Sequence, residues 1–359
     1  MRINTITLIA FGLCLTANGQ QMSFEEYNPK STLVVPENPV ERAKFTFIDV
    51  HSHQFRMANQ DLSELIRHMD QMNMGVMVNL SGGSGSGLQA MLKNVNENYP
   101  NRFVIFANVD FSGVGNPNWG NEAASQLETD VRNGARGLKI YKSLGLRNRD
   151  IAGNRIAVDD SRLDPVWAKC AELGIPVLIH SADPKSFWDP MDENNERWLE
   201  LKTRPRRKRS ETNPAPWRQI IDEQHRMFKK HPNTKFINAH MGWYANNLGR
   251  LGELMDEIPN MYVGIGAIIA ELGRQPKQAR QFFIKYQDRI LFGKDSWQPS
   301  EFPTYFRVLE TADEYFPYYK KYHAFWAMYG LDLPNEVLRK VYYKNAMKLI
   351  PGLDTSLFE

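Results

Sequence analysis

Phe47-Ile48-Asp49-Val50-His51-Ser52-His53 is an apolar run that ends in two histidines one residue apart. Strand side chains alternate between faces with a period of two. Asp49, His51 and His53 therefore leave one face of a strand, and Ile48 and Val50 the other. Two imidazoles at adjacent same-face positions are half of a metal site. Each binds through one nitrogen, and its second nitrogen needs an acceptor, for which Asp49 is the nearby candidate.

Working outward, other apolar runs end in polar groups of the same kind. Pro176-Val177-Leu178-Ile179 leads to His180, and Thr234 to Ala239 leads to His240. Arg289-Ile290-Leu291-Phe292-Gly293-Lys294 delivers Asp295. A single histidine at a strand end is ordinarily structural. Four histidines and an aspartate at C-terminal strand ends are not what core packing selects.

Eight strand-like segments, 45–50, 76–80, 102–109, 137–141, 176–180, 234–240, 260–265 and 289–293, alternate with helical patterns. The helices are expected over 61–72, 87–98, 122–133, 162–173, 216–230, 246–257 and 276–286, then near 304–314 and 334–348. That rhythm predicts an α/β fold, a (β/α)8 TIM barrel over 45–351, with the histidines at the mouth where such barrels place their sites. An open doubly wound sheet is the runner-up, and it scatters the histidines along an edge. Alternation puts Gly137, Lys139 and Tyr141 on one face of strand 4 and Asp295 inward on strand 8. It turns Lys294 away.

The 359 residues carry a formal charge of +3, with 42% hydrophobic and 24% charged residues, so the balance gives no argument for nucleic acid. Arg2, the apolar stretch Ile6 to Ala17 and the small residues Ala17-Asn18-Gly19 read as a signal peptide over 1–19, implying a periplasmic or secreted protein. Cys14 follows Leu13, which is too bulky for the usual lipidation box. After cleavage Cys170 is the remaining cysteine, so no intrachain disulfide forms. Residues 20–44 read as an arm. No later segment reads as a membrane span.

The Asp49-x-His51-x-His53 motif, Lys139, His180, His240 and Asp295 together resemble the amidohydrolase superfamily, and more narrowly the amidohydrolase 2 family with its aminocarboxymuconate-semialdehyde decarboxylase-like enzymes and lactonases. The resemblance runs from about Phe45 to Pro351. It implies one divalent metal, zinc or manganese, held by His51, His53, His180 and Asp295. His240 matches the histidine that moves protons or polarises the substrate. Lys139 matches a lysine that bridges two metals when carboxylated in binuclear relatives and is otherwise structural or substrate-binding. One departure is Lys294-Asp295, where relatives carry Thr-Asp or Ser-Asp.

The chemistry so implied is hydrolysis of a small ester, lactone or amide, with Asp295 as general base and His240 as proton donor. Non-oxidative decarboxylation is the alternative. It needs a cation for a carboxylate, with Arg56, Lys139, Lys142 and Arg274 as candidates. A metal-containing binding protein without turnover is the third reading.

Several segments carry weaker expectations. The basic run 202–209 reads as a solvated loop, or as a trap for anions if functional. Ser186 to Pro190 and Trp198 are a candidate lid. Ser81 to Gly87 reads as a flexible mouth loop rather than a phosphate cradle. Gly264-Ile265-Gly266-Ala267 leaves room for close approach at the site. Tyr315 to Tyr329 is a candidate cap or homo-oligomer contact. His225 and His231 read as surface residues.

Overall fold

A computed structural model describes residues 22–358. The expected signal peptide over 1–19, Cys14 included, lies outside the described residues. The chain divides into two units, Met1–Leu33 and Val34–Glu359. The described part of the first holds a turn at residues 24–26, where the Glu26 amide donates to Ser23 Oγ at 3.2 Å.

In the second unit all eight expected strands form. They are β1 (Phe47–Ser52), β2 (Met74–Asn79), β3 (Phe103–Ile105), β4 (Leu138–Ile140), β5 (Val177–Ile179), β6 (Phe236–Asn238), β7 (Met261–Gly264) and β8 (Ile290–Leu291). Strands β1 to β3 make one parallel sheet and β4 to β8 another, each in chain order. A parallel bridge between Ala107 and Leu138 spans the first gap. At the other gap the Val50 amide donates to the Phe292 carbonyl at 3.1 Å, and the Asp295 amide to the His51 carbonyl at 2.7 Å. Strand 8 thus returns to strand 1, as an α/β barrel requires and an open sheet does not.

The strands are almost wholly buried, as expected of a parallel sheet covered by helices. The outer helices bury one stripe each. In Trp217–Lys230, residues Trp217, Ile220, Ile221, Gln224, Met227 and Phe228 face inward at helical spacing. An aromatic cluster locks the ends of the barrel sequence together: Phe47 lies 4.8 Å from Phe292 and 5.4 Å from Phe306, ring centre to ring centre. Residues 34–44 belong to this unit. Asn38 donates to Asp313 through its amide at 2.7 Å, and Ala43 is buried.

The long connections hold elements that periodicity did not reveal. Helix Trp198–Thr203 forms after β5, and helix Ile269–Gly273 after β7. A hairpin of β9 (Phe316–Pro317) and β10 (Ala327–Met328) organises the aromatic segment. Trp326 there lies under the guanidinium groups of both Arg197, at 5.3 Å, and Arg274, at 3.9 Å. Among the described residues, no helix is long and apolar enough to cross a membrane.

Candidate metal centre

The mouth of the barrel gathers His51, His53, Lys139, His180, His240 and Asp295. His51 Nε2 is 3.3 Å from Asp295 Oδ1, and His53 Nε2 is 3.6 Å from the same oxygen. Lys139 Nζ is 3.5 Å from His51 Nε2. Ligand-capable atoms of His51, His240 and Asp295 lie within 4.8 Å of one another. His180 stands one hydrogen bond back from that set, its Nδ1 3.1 Å from His240 Nε2.

Hydrogen bonding decides which nitrogens are bare. Tyr141 donates its hydroxyl proton to the Leu80 carbonyl at 3.1 Å, because a carbonyl can only accept. Ser81 must then donate to Tyr141 at 2.9 Å, and His53 Nδ1–H to Ser81 Oγ at 2.9 Å. This leaves His53 Nε2 as a lone pair facing a carboxylate oxygen. Two acceptors set against each other repel, and a cation between them removes the repulsion. His240 Nδ1–H donates to the Gly266 carbonyl at 2.6 Å, so its Nε2 is also an acceptor. His180 Nδ1–H meets it, and His180 Nε2 is a buried atom without a partner, as is His51 Nδ1. This donor set fits a divalent metal.

Protonation agrees. Burial pulls His51 and His180 well below the usual imidazole range, and pulls His53 and His240 down to about 4. All four are neutral at neutral pH. Burial pushes Asp295 up, but His240, His53 and Lys139 outweigh it and hold the carboxylate below its ordinary value. Burial lowers Lys139 to about 7, against the pull of Asp295.

Asp49 has a different role from the one its spacing suggested. It does not accept from an imidazole. Its Oδ1 takes the backbone amides of His51, at 2.9 Å, and Lys294, at 3.1 Å, and so clasps β1 to the end of β8. The partner of His53 is instead Ser81, missed because it sits in a glycine-rich loop. Its position just past β2, at the same mouth, was the available signal.

Lys294 turns away as alternation required. Its ammonium is bound by the Ser296 carbonyl at 2.9 Å and by Glu301. Gly266 and Gly293 permit close approach to His51. A Cβ on Gly293 would stand 2.8 Å from His51 Cβ, and one on Gly266 3.1 Å from His51 Nδ1.

The β6 exit is the least readable part of the site. His240, Met241, Gly242 and Trp243 all have positive φ, between 51° and 61°. This left-handed turn lays the Trp243 ring on His240, 4.5 Å apart and 19° from parallel, and its indole N–H on the Ser181 carbonyl at 3.0 Å. Apart from Gly242, no residue type announced it.

Other expectations need correction. The basic run is not simply solvated: Arg207 pairs with Glu200, Arg209 with Asp183 at 2.9 Å, and Arg204 lies over Tyr322 at 4.4 Å. The loop at 81–87 is tethered rather than flexible. The Gly83 amide donates to Asn108 and that of Gly85 to Asp130, which also removes them as phosphate donors. His225 is buried beside Tyr244, and His231 is held by Asp164 at 2.9 Å. An apolar neighbour on the adjacent loop and an acid 67 residues away are invisible to local pattern. Cys170 is buried, which pushes its thiol pKa up and keeps it unreactive.

Comparison with known proteins agrees with this geometry. The profile described as amidohydrolase matches residues 63–352. The chain belongs to the amidohydrolase family and is an enzyme of that metal-dependent class. The matched span begins after β1, so His51 and His53 enter the site through the geometry alone. An uncharacterized TIM-barrel protein from Bordetella bronchiseptica is similar at 16% identity and TM-score 0.53, over 84% of this chain and 97% of that one. A dihydroxybenzoic acid decarboxylase from Polaromonas, solved with bound manganese, is similar at 14% identity and TM-score 0.54, over 85% and 96%. A 4-oxalomesaconate hydratase from Rhodopseudomonas palustris is similar at 15% identity and TM-score 0.51, over 87% and 97%. These likenesses establish the fold. No curated protein matches the chain.

Proposed function

We propose that this enzyme hydrolyses a small ester, lactone or amide at one divalent metal, zinc before manganese, held by His51, His53, His180 and Asp295. The observation that carries this reading is the convergence of His53 Nε2 and Asp295 Oδ1, two acceptors 3.6 Å apart in a ring of neutral imidazoles. A metal bound there supplies Lewis-acid polarisation and an acidified water, its pKa lowered from 15.7 to about 7. Asp295, its carboxylate held below its ordinary value, receives the proton of the attacking water. His240 Nε2, bare and 3.1 Å from His180 Nδ1, would take over the proton collected by Asp295 and pass it to the leaving oxygen or nitrogen. The Gly266 carbonyl fixes the His240 ring for this transfer.

Decarboxylation is the second reading. It is supported by Lys139, a buried cation at the centre, and by the fold of the Polaromonas decarboxylase. Against it, two of the cations a carboxylate would need are committed elsewhere: Lys142 to Asp183, and Arg274 to Glu196 at 3.0 Å.

Elemental analysis of the purified protein, beside turnover on panels of lactones, esters and aromatic carboxylates, tests both. One metal per chain with lactone or ester turnover is expected, and His240→Asn keeps the metal while losing turnover. Carbon dioxide release from a carboxylate, with no ester or lactone turnover, would replace the hydrolase reading. Two metals per chain would make Lys139 a carboxylated bridge. Residues 1–19 further imply an exported enzyme whose catalytic domain is 45–351. An intact residue 1 on the mature protein would sink the export part.

A further inference from the structure

A cleft of about 200 Å³ opens between the loops that follow β5, β6 and β7. It shares a wall with the metal centre. Trp243 lines it and also lies on His240. Ile268, two residues beyond the Gly266 carbonyl that holds His240, lines it as well.

The cations around this cleft are already paired with acids, while Glu271 Oε2 is a buried oxygen without a partner. Lys185 pairs with Asp189, and Glu196 with Arg274. Arg197 and Glu271, both more than nine-tenths buried, pair with each other, and Arg197 also binds Glu200 at 2.8 Å. That network fixes the floor and offers no spare cation to a carboxylate or phosphate. The side chains left without a hydrogen bond among the described residues are neutral: the amides of Asn194 and Asn246 and the hydroxyl of Ser186. Each both donates and accepts. Beside them stand a flat indole and the aliphatic Ile268. A flat apolar wall facing neutral donor–acceptor groups matches a ring with C–H faces and hydroxyl edges.

We propose that this cleft is a subsite for a neutral, hydroxyl-rich ring of the substrate, packed on Trp243 and hydrogen-bonded by Asn194 and Asn246. The proposal rests on the hydrolase reading for what happens next, because it places the scissile carbonyl at the adjoining metal centre. The binding itself does not depend on turnover.

The test is a calorimetric titration of the purified full chain with a neutral methyl pyranoside, and separately with benzoate. It is repeated on Asn194→Leu/Asn246→Leu, both exposed positions, with the melting temperature and metal content confirmed unchanged. Saturable pyranoside binding, weakened about tenfold or more in the variant and not displaced by benzoate, is expected. No pyranoside binding, equal binding in the variant, or displacement by benzoate would overturn the subsite. Pyranoside binding with no ester or lactone turnover would overturn the hydrolase reading alone. If Asn194→Leu/Asn246→Leu melts early, Ser186→Ala and Asn246→Ala tested singly give the same comparison.

Discussion

The first and second halves of the barrel use left-handed backbone differently. From β1 to β4, the positive-φ positions belong to glycine and to two asparagines, Asn73 and Asn101. These residue types adopt that region at little cost. From β5 to β8 it falls, apart from Gly242, to Ala182, His240, Met241, Trp243, Ala267 and Asp295, each just past a strand end. A residue with a Cβ held there costs roughly 1–3 kcal/mol. The first half supplies a relaxed wall with two candidate ligands at the end of β1, where the register against β2 shifts between Asp49 and Ser52. The second half bends sharply to aim His240, Trp243 and Asp295 at them, and the packing of the whole barrel offsets that strain.

The largest effect is expected where the relaxed wall meets the centre. His51→Ala/His53→Ala should remove the metal and lower turnover by at least about a thousandfold, measured by elemental analysis and steady-state rates. Retained metal would shift the site wholly to the strained half.

Acid should expose the second half next. Burial, opposed by Asp222, lowers His225 to about 4, below the 6.5 of an unfolded histidine. The unfolded chain binds more protons between those values, so stability is present above about pH 6.5 and lost as pH falls toward 4. Burial of this one ring accounts for about 3 kcal/mol of that loss. Denaturant melts of wild type and His225→Gln should converge at pH 4 relative to pH 7. Parallel curves would refute the assignment.

Ser81→Ala should weaken metal affinity about tenfold by freeing the His53 ring, read by competition with a chelator. An unchanged affinity would mean that the hydroxyl does not set the tautomer.

The smallest effects test the strain directly. Ala267→Gly should raise stability by about 1 kcal/mol, while Asn101→Gly, which also gives up the exposed 2.8 Å hydrogen bond from Asn101 to Asp354, should not raise it. If both substitutions moved the melting temperature equally, the contrast between the halves would fail.

The legibility of the sequence followed the same division. Regular strands announce themselves by period, so all eight appeared, and the ligand candidates at their ends stand close to one another. What escaped depended on contacts between distant loops or on backbone that no residue pattern encodes. Ser81 reaches His53 only after β2 is laid beside β1. Trp243 reaches His240 only through four consecutive left-handed residues. The pairing of Arg209 with Asp183 and of Arg207 with Glu200 turned an expected solvated run into the ties of a loop. Asp49 was noticed for its proximity to histidine, but its carboxylate serves backbone amides.

That carboxylate bears on how the enzyme is made. Asp49 accepts the amide of Lys294, which stands 245 residues further along the chain. A ribosome releases the β1 histidines early and Asp295 near the end. Until residue 295 is made, the nascent chain therefore carries imidazoles and no finished cage. The centre closes only when the last strand arrives, so the ion it takes is the one at hand where folding ends, not where translation begins.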